Sequence, residues 1–240
     1  MLKRKVQKKD WDNDALETLK RPILIHKEII DEITKRVENG GLLLEIGAQR
    51  GVDANELVKN GYYVVTLDYS DEAIRMMKKD FGNNLLIVKG DIKYLPFKDN
   101  VFDLVYSQGL LEHFFEPELG KILLEQKRII NKNGKVLIDV PNLFSPLTIP
   151  KHILMFFRLY VLPQEWQYSW RKLKRIGWKY KLIYDSHYSW GYDRLISRPL
   201  IQLFENLPLG LGKIFKILKL YLEKRMGDYF LKCVGVFFTK

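Results

Sequence analysis

Short apolar segments alternate with helical segments between residues 42 and 141, and this alternation constrains the fold more than any other feature. The five apolar segments are LLLEI, YYVVTLD, LLIVKGD, VFDLVYS and GKVLIDVP. Helical patterns fill residues 51–60, the segment that begins at Ser70, and residues 117–131. Strands that alternate with helices form parallel sheets covered by helices on both faces. We therefore predict a doubly wound α/β fold that binds ligands beyond the carboxyl ends of its strands.

The segment before this core predicts one more helix. Apolar residues recur four apart at Ile25, Ile29, Ile33 and Val37, and two glycines follow at Gly40 and Gly41. This spacing is typical of an amphipathic helix with a glycine stop.

The alternation ends after Asn142, and the remaining residues predict a different arrangement. We expect a helix over 164–176, a strand in WKYKLIYD, a basic amphipathic helix in KIFKILKLYLEKR and a final strand in YFLKCVGVFFTK. The chain then forms a single domain over 1–240, with seven strands in all. Its parts are a ligand-binding core at 10–142, an α-rich basic and aromatic cap at 143–228 and the last strand at 229–240.

Charge and cysteine content narrow the classes of partner and compartment. The net charge is +11, and residues 141–240 carry 17 basic against 6 acidic residues. This imbalance indicates either a solvated basic surface or a face turned toward an anionic molecule. The one cysteine, Cys233, excludes a disulfide framework and a cysteine zinc site. No apolar signal segment opens the chain, so we expect a cytoplasmic protein.

Three signals follow successive strands in the order that a nucleotide-type cofactor requires. The turn from Glu45 to Gly51 carries glycines at 47 and 51, Asp68 ends the second strand and Asp91 follows the third. A nicotinamide dinucleotide would also use an acid about 20 residues beyond the first glycine. It would, however, need the turn pattern G-x-G-x-x-G, which this turn does not match.

These segments resemble the class I S-adenosylmethionine-dependent methyltransferases. The similar stretches are KKDWDNDA, LLLEIGAQRG, VVTLDYSDEAI, VKGDIKYLPFKDNVFDLVYSQGLLEHF and LLEQKRIINKNGKVLIDVPN, which together span about residues 10–142. Where the family usually has proline and glycine, this chain has Asn133 and Gly134. The resemblance implies a Rossmann-like, mostly parallel seven-stranded sheet, S-adenosyl-L-methionine as cofactor and methyl transfer as the reaction.

The resemblance also implies the residues that hold the cofactor. They are Glu45, Gly47, Ala48, Gln49, Gly51, Asp68, Tyr69, Asp91, Ile92, Ser107 and Gln108. Asp68 is implied to accept hydrogen bonds from the ribose hydroxyls, and Asp91 from the adenine amino group. Gln49 takes the place of a glycine and narrows the methionine end of the pocket.

The candidates for a catalytic base are three histidines. His113 follows the fourth strand and is either the base or a structural group at the edge of the site. His152 and His187 lie in the cap, where the sequence does not fix their positions. No spacing of His, Asp and Glu suggests a metal site.

We expect the cap to contact the molecule that accepts the methyl group. Between Trp166 and Trp190, aromatic residues alternate with six Lys or Arg residues. This segment is either an aromatic core with a basic exterior, a pocket for an anionic or sugar-bearing molecule, or an interfacial membrane surface. Prolines and charges in residues 146–163 argue against a transmembrane segment. We favour a small acceptor, anionic or lipid-like, over RNA, because no RNA-binding motif is present. A non-catalytic module of the same fold is a further alternative, and the oligomeric state stays open.

Overall fold

The strands predicted from the alternating segments form one sheet in the computed structural model, which describes residues 6–20, 23–143, 145, 168–190 and 233–240. The helices are α1 Lys8–Leu19, α2 Lys27–Thr34, α3 Val52–Lys59, α4 Asp71–Phe81, α5 Glu118–Ile129 and α6 Trp170–Lys179. The strands are β1 Leu42–Ile46, β2 Tyr63–Asp68, β3 Leu86–Lys89, β4 Phe102–Gln108, β5 Ile130–Pro141, β6 Ile183–Trp190 and β7 Cys233–Thr239. A 3₁₀ turn, Leu111–His113, follows β4.

The sheet has seven strands in the order β3-β2-β1-β4-β5-β7-β6. The first five are parallel, and β7 runs antiparallel to both of its neighbours. The prediction of a doubly wound, mostly parallel seven-stranded sheet is confirmed. The strand order reverses between β1 and β4, and such a switch point opens a crevice at the carboxyl ends of the strands.

The central strands β1, β2 and β4 are buried on both faces, which explains why they read as nearly continuous apolar runs. Successive side chains point to opposite faces, so Leu43 packs on one side of β1 and Leu44 on the other. The predicted stripe of α2 lies on the Leu43 side, where Ile29 and Ile33 are buried. Both side chains are at most 1% exposed.

Two boundaries in the second half differ from the prediction. The helix predicted over 164–176 is α6, which begins after Ser169 because that side chain accepts a hydrogen bond from the Lys172 backbone N–H. The predicted start of the strand in WKYKLIYD is wrong by about one helical turn, because Trp178 and Lys179 are the last residues of α6. The chain turns at Lys181, whose φ is +59°, before β6 starts.

The remaining predictions for the second half are tested only in part. The final strand runs over Cys233–Thr239. The predicted helix in KIFKILKLYLEKR, most of the predicted cap and His152 lie outside the described residues. No helix within the described ranges has the length and apolar character needed to cross a membrane.

Candidate functional site

A cavity of about 290 Å³ opens at the carboxyl ends of β1, β2, β3 and β4. Seven of the predicted site residues line it: Gly47, Gln49, Asp68, Tyr69, Asp91, Ile92 and Gln108. They come from four different strand ends, so the sheet brings together side chains that are up to 61 residues apart in the sequence. The volume of the cavity lies just below the roughly 300–1,000 Å³ typical of small-molecule sites.

The first turn is built on left-handed backbone positions. Gly47 has φ +71° and Gly51 has φ +68°. A Cβ atom on Gly47 would lie 2.8 Å from Leu110 Cδ2. Glycine is therefore required here both by its conformation and by the close approach of Leu110. Gln49 also has a positive φ, +46°, although it is not a glycine.

Asp68 is held at the cavity wall by backbone donors. Its Oδ2 accepts a hydrogen bond from the Gln49 N–H at 2.9 Å, and its Oδ1 accepts one from the Ser70 N–H at 2.8 Å. Burial raises the pKa of this carboxyl, and the backbone N–H groups act in the opposite direction. Each carboxylate oxygen can accept more than one hydrogen bond. Asp68 can therefore receive neighbouring hydroxyl groups while keeping its position.

The end of β3 supplies the second carboxylate of the cavity. The Asp91 Oδ1 accepts a hydrogen bond from the Lys93 backbone N–H at 2.9 Å, which fixes the direction of its side chain. Ile92, beside it, is buried. Tyr69 also lines the cavity and is 44% exposed, so its ring is available to a ligand. The combination of a fixed carboxylate, an aliphatic side chain and a ring face suits a purine base.

Five predicted residues do not line this cavity. Ala48 and Gly51 belong to the turn behind it, and Gly51 precedes α3 as its N-cap. Glu45 is buried, and its pKa is raised well above the usual range by burial and by the nearby Asp53 carboxylate. Ser107 is buried at the end of β4, with no hydrogen-bond partner for its Oγ among the described residues. The fifth, His113, is also buried.

The predicted histidines lie at different distances from the cavity. The His113 ring meets the ring of Trp11 edge to face, with 5.2 Å between centroids. Because Trp11 lines the cavity, His113 lies one side chain behind the wall. His187 stacks on Trp170 with 4.3 Å between centroids and pairs with the Tyr184 hydroxyl at 2.6 Å. It belongs to the α6–β6 region.

Sequence reasoning missed the helix that forms one wall of the cavity. Lys8, Trp11, Asp14 and Ala15 of α1 all line it. The helix carries many charged residues and few apolar ones, so its periodicity gives little signal. Only the resemblance of KKDWDNDA to the start of other methyltransferases pointed to this segment.

A histidine–carboxylate pair at the start of α3 was also missed. The His26 Nδ1 lies 2.7 Å from Asp53 Oδ2, and the His26 backbone N–H donates to Asp53 Oδ1 at 2.9 Å. The edge of the Trp190 ring system also meets His26, with 5.4 Å between centroids. The two partners are 27 residues apart, so no local pattern could indicate the pair.

The exposed side of α6 carries the basic character predicted for the cap. Arg171, Lys174, Arg175 and Trp178 recur at helical spacing and are exposed, Trp178 by 79%. No acidic residue occurs in the helix. This stripe offers cations and one flat apolar side chain to an anionic partner. Among the described residues, no group of three His, Cys, Asp or Glu side chains could hold a metal ion.

Comparisons with known proteins agree with the geometry of the cavity. A family model described as a methyltransferase domain matches residues 44–138. The protein MJ0638 of Methanocaldococcus jannaschii is 31% identical over 199 residues, covering 79% of this chain and 80% of that protein. Sarcosine/dimethylglycine N-methyltransferase of Halorhodospira halochloris is 30% identical over 120 residues, 48% of this chain and 42% of that enzyme.

Solved structures extend the likeness to nearly the whole chain. A chain from the complex between the Haloferax volcanii Trm112 methyltransferase activator and a methyltransferase superposes with a TM-score of 0.67. The sequences are 16% identical, and the superposition covers 96% of this chain and 95% of that chain. This likeness shows the fold. By contrast, the chain spans only 31% to 42% of the length of the first curated relatives it matches.

Proposed function

The chain belongs to the class I S-adenosylmethionine-dependent methyltransferases, and we propose that it transfers a methyl group to an oxygen or nitrogen atom of a small acceptor. The observation that carries this proposal is the convergence of Gly47, Asp68 and Asp91 on one cavity at the switch point of the sheet. The same three residues gave the sequence signals on successive strands.

The residues of the cavity fit the parts of S-adenosyl-L-methionine. Asp68 would hold the ribose hydroxyls, and Asp91 with Ile92 would hold the adenine. The turn at Gly47 would let the methionine part pass close to the backbone, since a Cβ atom there meets Leu110. Gln108, at the end of β4, would lie where the acceptor approaches. Glu45 would organise the turn from behind, through the first turn of α3.

Methyl transfer asks the protein mainly for positioning. Bound S-adenosyl-L-methionine supplies an electrophilic methyl group on a sulfonium sulfur. The cavity walls would align the acceptor for in-line attack and exclude water, and this orientation can supply much of the rate enhancement. A base is needed only when the acceptor atom carries a proton of high pKa.

His113 is our candidate for that base. Its ring lies one side chain behind the cavity, against Trp11, which agrees with a group at the edge of the site. His113→Gln is expected to lower kcat by about 100-fold, within the usual range for general bases, and to leave S-adenosylhomocysteine affinity unchanged. The rate is measured with the acceptor that a methyl-transfer screen identifies. Loss of affinity with kcat intact would assign His113 to packing of the wall instead.

The acceptor we propose is anionic or lipid-like. The excess of basic residues beyond residue 140 and the exposed stripe of α6 support this class. Cations beside an exposed tryptophan also suit the surface of an anionic membrane, where the indole lies at headgroup level. We propose that the protein is cytoplasmic, and that it lies at the membrane surface when its acceptor is a lipid.

Calorimetric titration with S-adenosylhomocysteine tests the cofactor assignment. The wild type is expected to bind, and Asp68→Ala is expected to lose most of its affinity. Asp31→Ala, an exposed carboxylate on α2, is the matched control and should bind as the wild type does. Absence of wild-type binding, or unchanged binding by Asp68→Ala, would remove the assignment.

RNA is the second candidate acceptor, because the α6 stripe also fits a phosphate backbone. A screen with radiolabelled S-adenosyl-L-methionine would compare phosphorylated and carboxylated metabolites, anionic lipid vesicles and total RNA. Label in RNA, together with RNA affinity that falls steeply with salt, would favour the RNA enzyme. Label in no pool would favour a non-catalytic module of the same fold.

A further inference from the structure

Gln49 joins two elements that both line the cavity. Its backbone N–H donates to Asp68 Oδ2 at 2.9 Å, at the end of β2. Its side-chain Nε2 donates to Asp14 Oδ2 at 2.7 Å, on α1. The first contact is available to any residue at this position, whereas the second requires a side chain that carries a donor. The side chain of Gln49 therefore connects the cofactor turn to the helix that covers it.

The backbone at this position is one that glycine would adopt more easily. Gln49 has φ +46°, in the left-handed region that residues with a Cβ atom disfavour. The neighbouring Gly47 and Gly51 occupy the same region. A non-glycine residue in such a conformation persists where surrounding contacts hold it, and it often marks a functional constraint. The contact with Asp14 is the one that the side chain itself provides.

Two sets of polar contacts connect α1 to its neighbours at this end of the sheet. Asp12 Oδ1 accepts hydrogen bonds from the Ser70 hydroxyl and the Asp71 backbone N–H at the start of α4, whereas the Gln49–Asp14 contact joins α1 to the cofactor turn. Asp14 is 7% exposed and Gln49 is half-buried, so the hydrogen bond between them is partly shielded from water. At the other end of the interface, Lys8 pairs with Asp71, but both of those side chains are more than a third exposed. Exposed ion pairs contribute little to holding elements together. The Gln49–Asp14 hydrogen bond is thus a partly buried polar tie between α1 and the turn.

We propose that Gln49 is a positioning residue that fastens α1 over the cavity, so that the cofactor leaves when the Gln49–Asp14 hydrogen bond opens. The inference rests on the proposed function, because the molecule held in the cavity is taken to be S-adenosyl-L-methionine or its product. Gln49 would then act on the rate of release more than on the rate of entry. In this chain, the residue that replaces the family's glycine takes on a role that glycine cannot have.

Exchanging the donor and the acceptor between positions 49 and 14 tests the Gln49–Asp14 hydrogen bond. Gln49→Gly removes the donor and relieves the left-handed conformation, so it should loosen α1 without unfolding the protein. Gln49→Glu places a carboxylate against Asp14 and should loosen α1 as well. The double variant Gln49→Glu with Asp14→Asn restores a hydrogen bond in the opposite direction. Asn133→Asp, at an exposed position near the start of β5 and outside the cavity lining, has the same charge change as Gln49→Glu and is the control.

Stopped-flow tryptophan fluorescence reports the release of S-adenosylhomocysteine, because Trp11 is one of the five tryptophans and lines the cavity. Release is expected to be about five- to tenfold faster in Gln49→Gly and Gln49→Glu, as the loss of one shielded hydrogen bond predicts. It should return to within about twofold of the wild type in the double variant. Unchanged release in Gln49→Gly, or no recovery in the double variant, would overturn the inference.

Hydrogen exchange of the free protein separates this inference from the proposed function. Amides of α1 should exchange faster in Gln49→Gly, while amides of β4 and β5 should keep the wild-type rate. This measurement needs no ligand, so it reports on the tie even if the wild type fails to bind S-adenosylhomocysteine. Equal exchange of α1 in wild type and Gln49→Gly would contradict the tie itself.

Discussion

The Trp190 indole donates a 2.7 Å hydrogen bond from Nε1 to Asp139 Oδ2, deep in the fold. The Tyr188 hydroxyl donates to the same oxygen at 2.9 Å. Asp139 is 1% exposed and lies beside Gln108 in the register of β4 and β5. Burial raises the pKa of this carboxyl to about 7; the two donors and His26 act against burial, and Asp53 acts with it. A buried carboxyl therefore adjoins the end of the strand that lines the cavity.

This pKa predicts how stability changes with pH. In the unfolded chain the carboxyl has its ordinary pKa of 3.8, but in the folded protein its pKa is about 7, so it keeps the proton over that range. Between these values the folded state binds more protons, so the unfolding free energy should fall as pH rises. At about 1.4 kcal/mol for each unit of pKa, the fall is at most about 4 kcal/mol.

Asp139→Asn should remove this part of the pH dependence. Urea unfolding of both proteins between pH 4 and 8 gives the difference in their free energies at each pH. Taking this difference cancels other buried acids, such as Glu45, whose pKa is also raised. The variant should gain stability relative to the wild type as pH rises through 4 to 7. A difference that does not vary with pH would contradict the raised pKa.

A second prediction concerns the glycine beneath Tyr188. A Cβ atom on Gly235 would lie 2.1 Å from Tyr188 Cε1. Gly235→Ala should force the ring away from Asp139 and destabilise the protein by about 1–3 kcal/mol, as overpacking does. Tyr188→Ala makes room for the new methyl group. The double variant should therefore be less destabilised than the sum of the two single variants, as measured by urea unfolding. Additive effects would show that the clash is relieved elsewhere.

The first five strands could be predicted from sequence because each is an uninterrupted apolar run between turn residues. Burial on both faces of a parallel sheet produces that pattern directly. The acids at the strand ends were equally visible, since Asp68 ends β2 and Asp91 comes two residues after β3. Topology then places both carboxylates on one cavity.

Other features depend on contacts that local sequence does not encode. The start of α6 is fixed by the cap at Ser169, and its last turn includes Gly177, which packs against the Phe238 ring. The prediction that a strand begins at Trp178 took neither contact into account. The covering role of α1 depends on Asp14 meeting Gln49 from 35 residues away. Helical periodicity could not show it, because the side of α1 that faces the cavity is mixed in polarity.

A third prediction concerns the start of α4. The Ser70 Oγ accepts a hydrogen bond from the Ala73 backbone N–H at 3.2 Å and donates one to Asp12 Oδ1 at 2.6 Å. Ser70→Ala removes both the cap of α4 and a tie to α1, so it should destabilise the protein by about 1–2 kcal/mol. Ser70→Thr keeps a hydroxyl and is the conservative control. Equal melting temperatures of the wild type and Ser70→Ala would exclude the capping role.

The last prediction asks whether Asp91 recognises an amino group. A carboxylate accepts a hydrogen bond from the adenine amino group, but it repels the oxo group of a deaminated purine. The wild type should therefore bind S-adenosylhomocysteine about 10- to 100-fold more tightly than S-inosylhomocysteine, as expected when a polar group in a binding site loses its hydrogen-bond partner. Asp91→Ala should bind both ligands weakly and with similar affinity. Asp99→Ala, which removes an exposed carboxylate eight residues away, should discriminate as the wild type does.

Calorimetry of the two ligands against the three proteins gives the comparison. Discrimination that survives in Asp91→Ala would place the adenine elsewhere in the cavity.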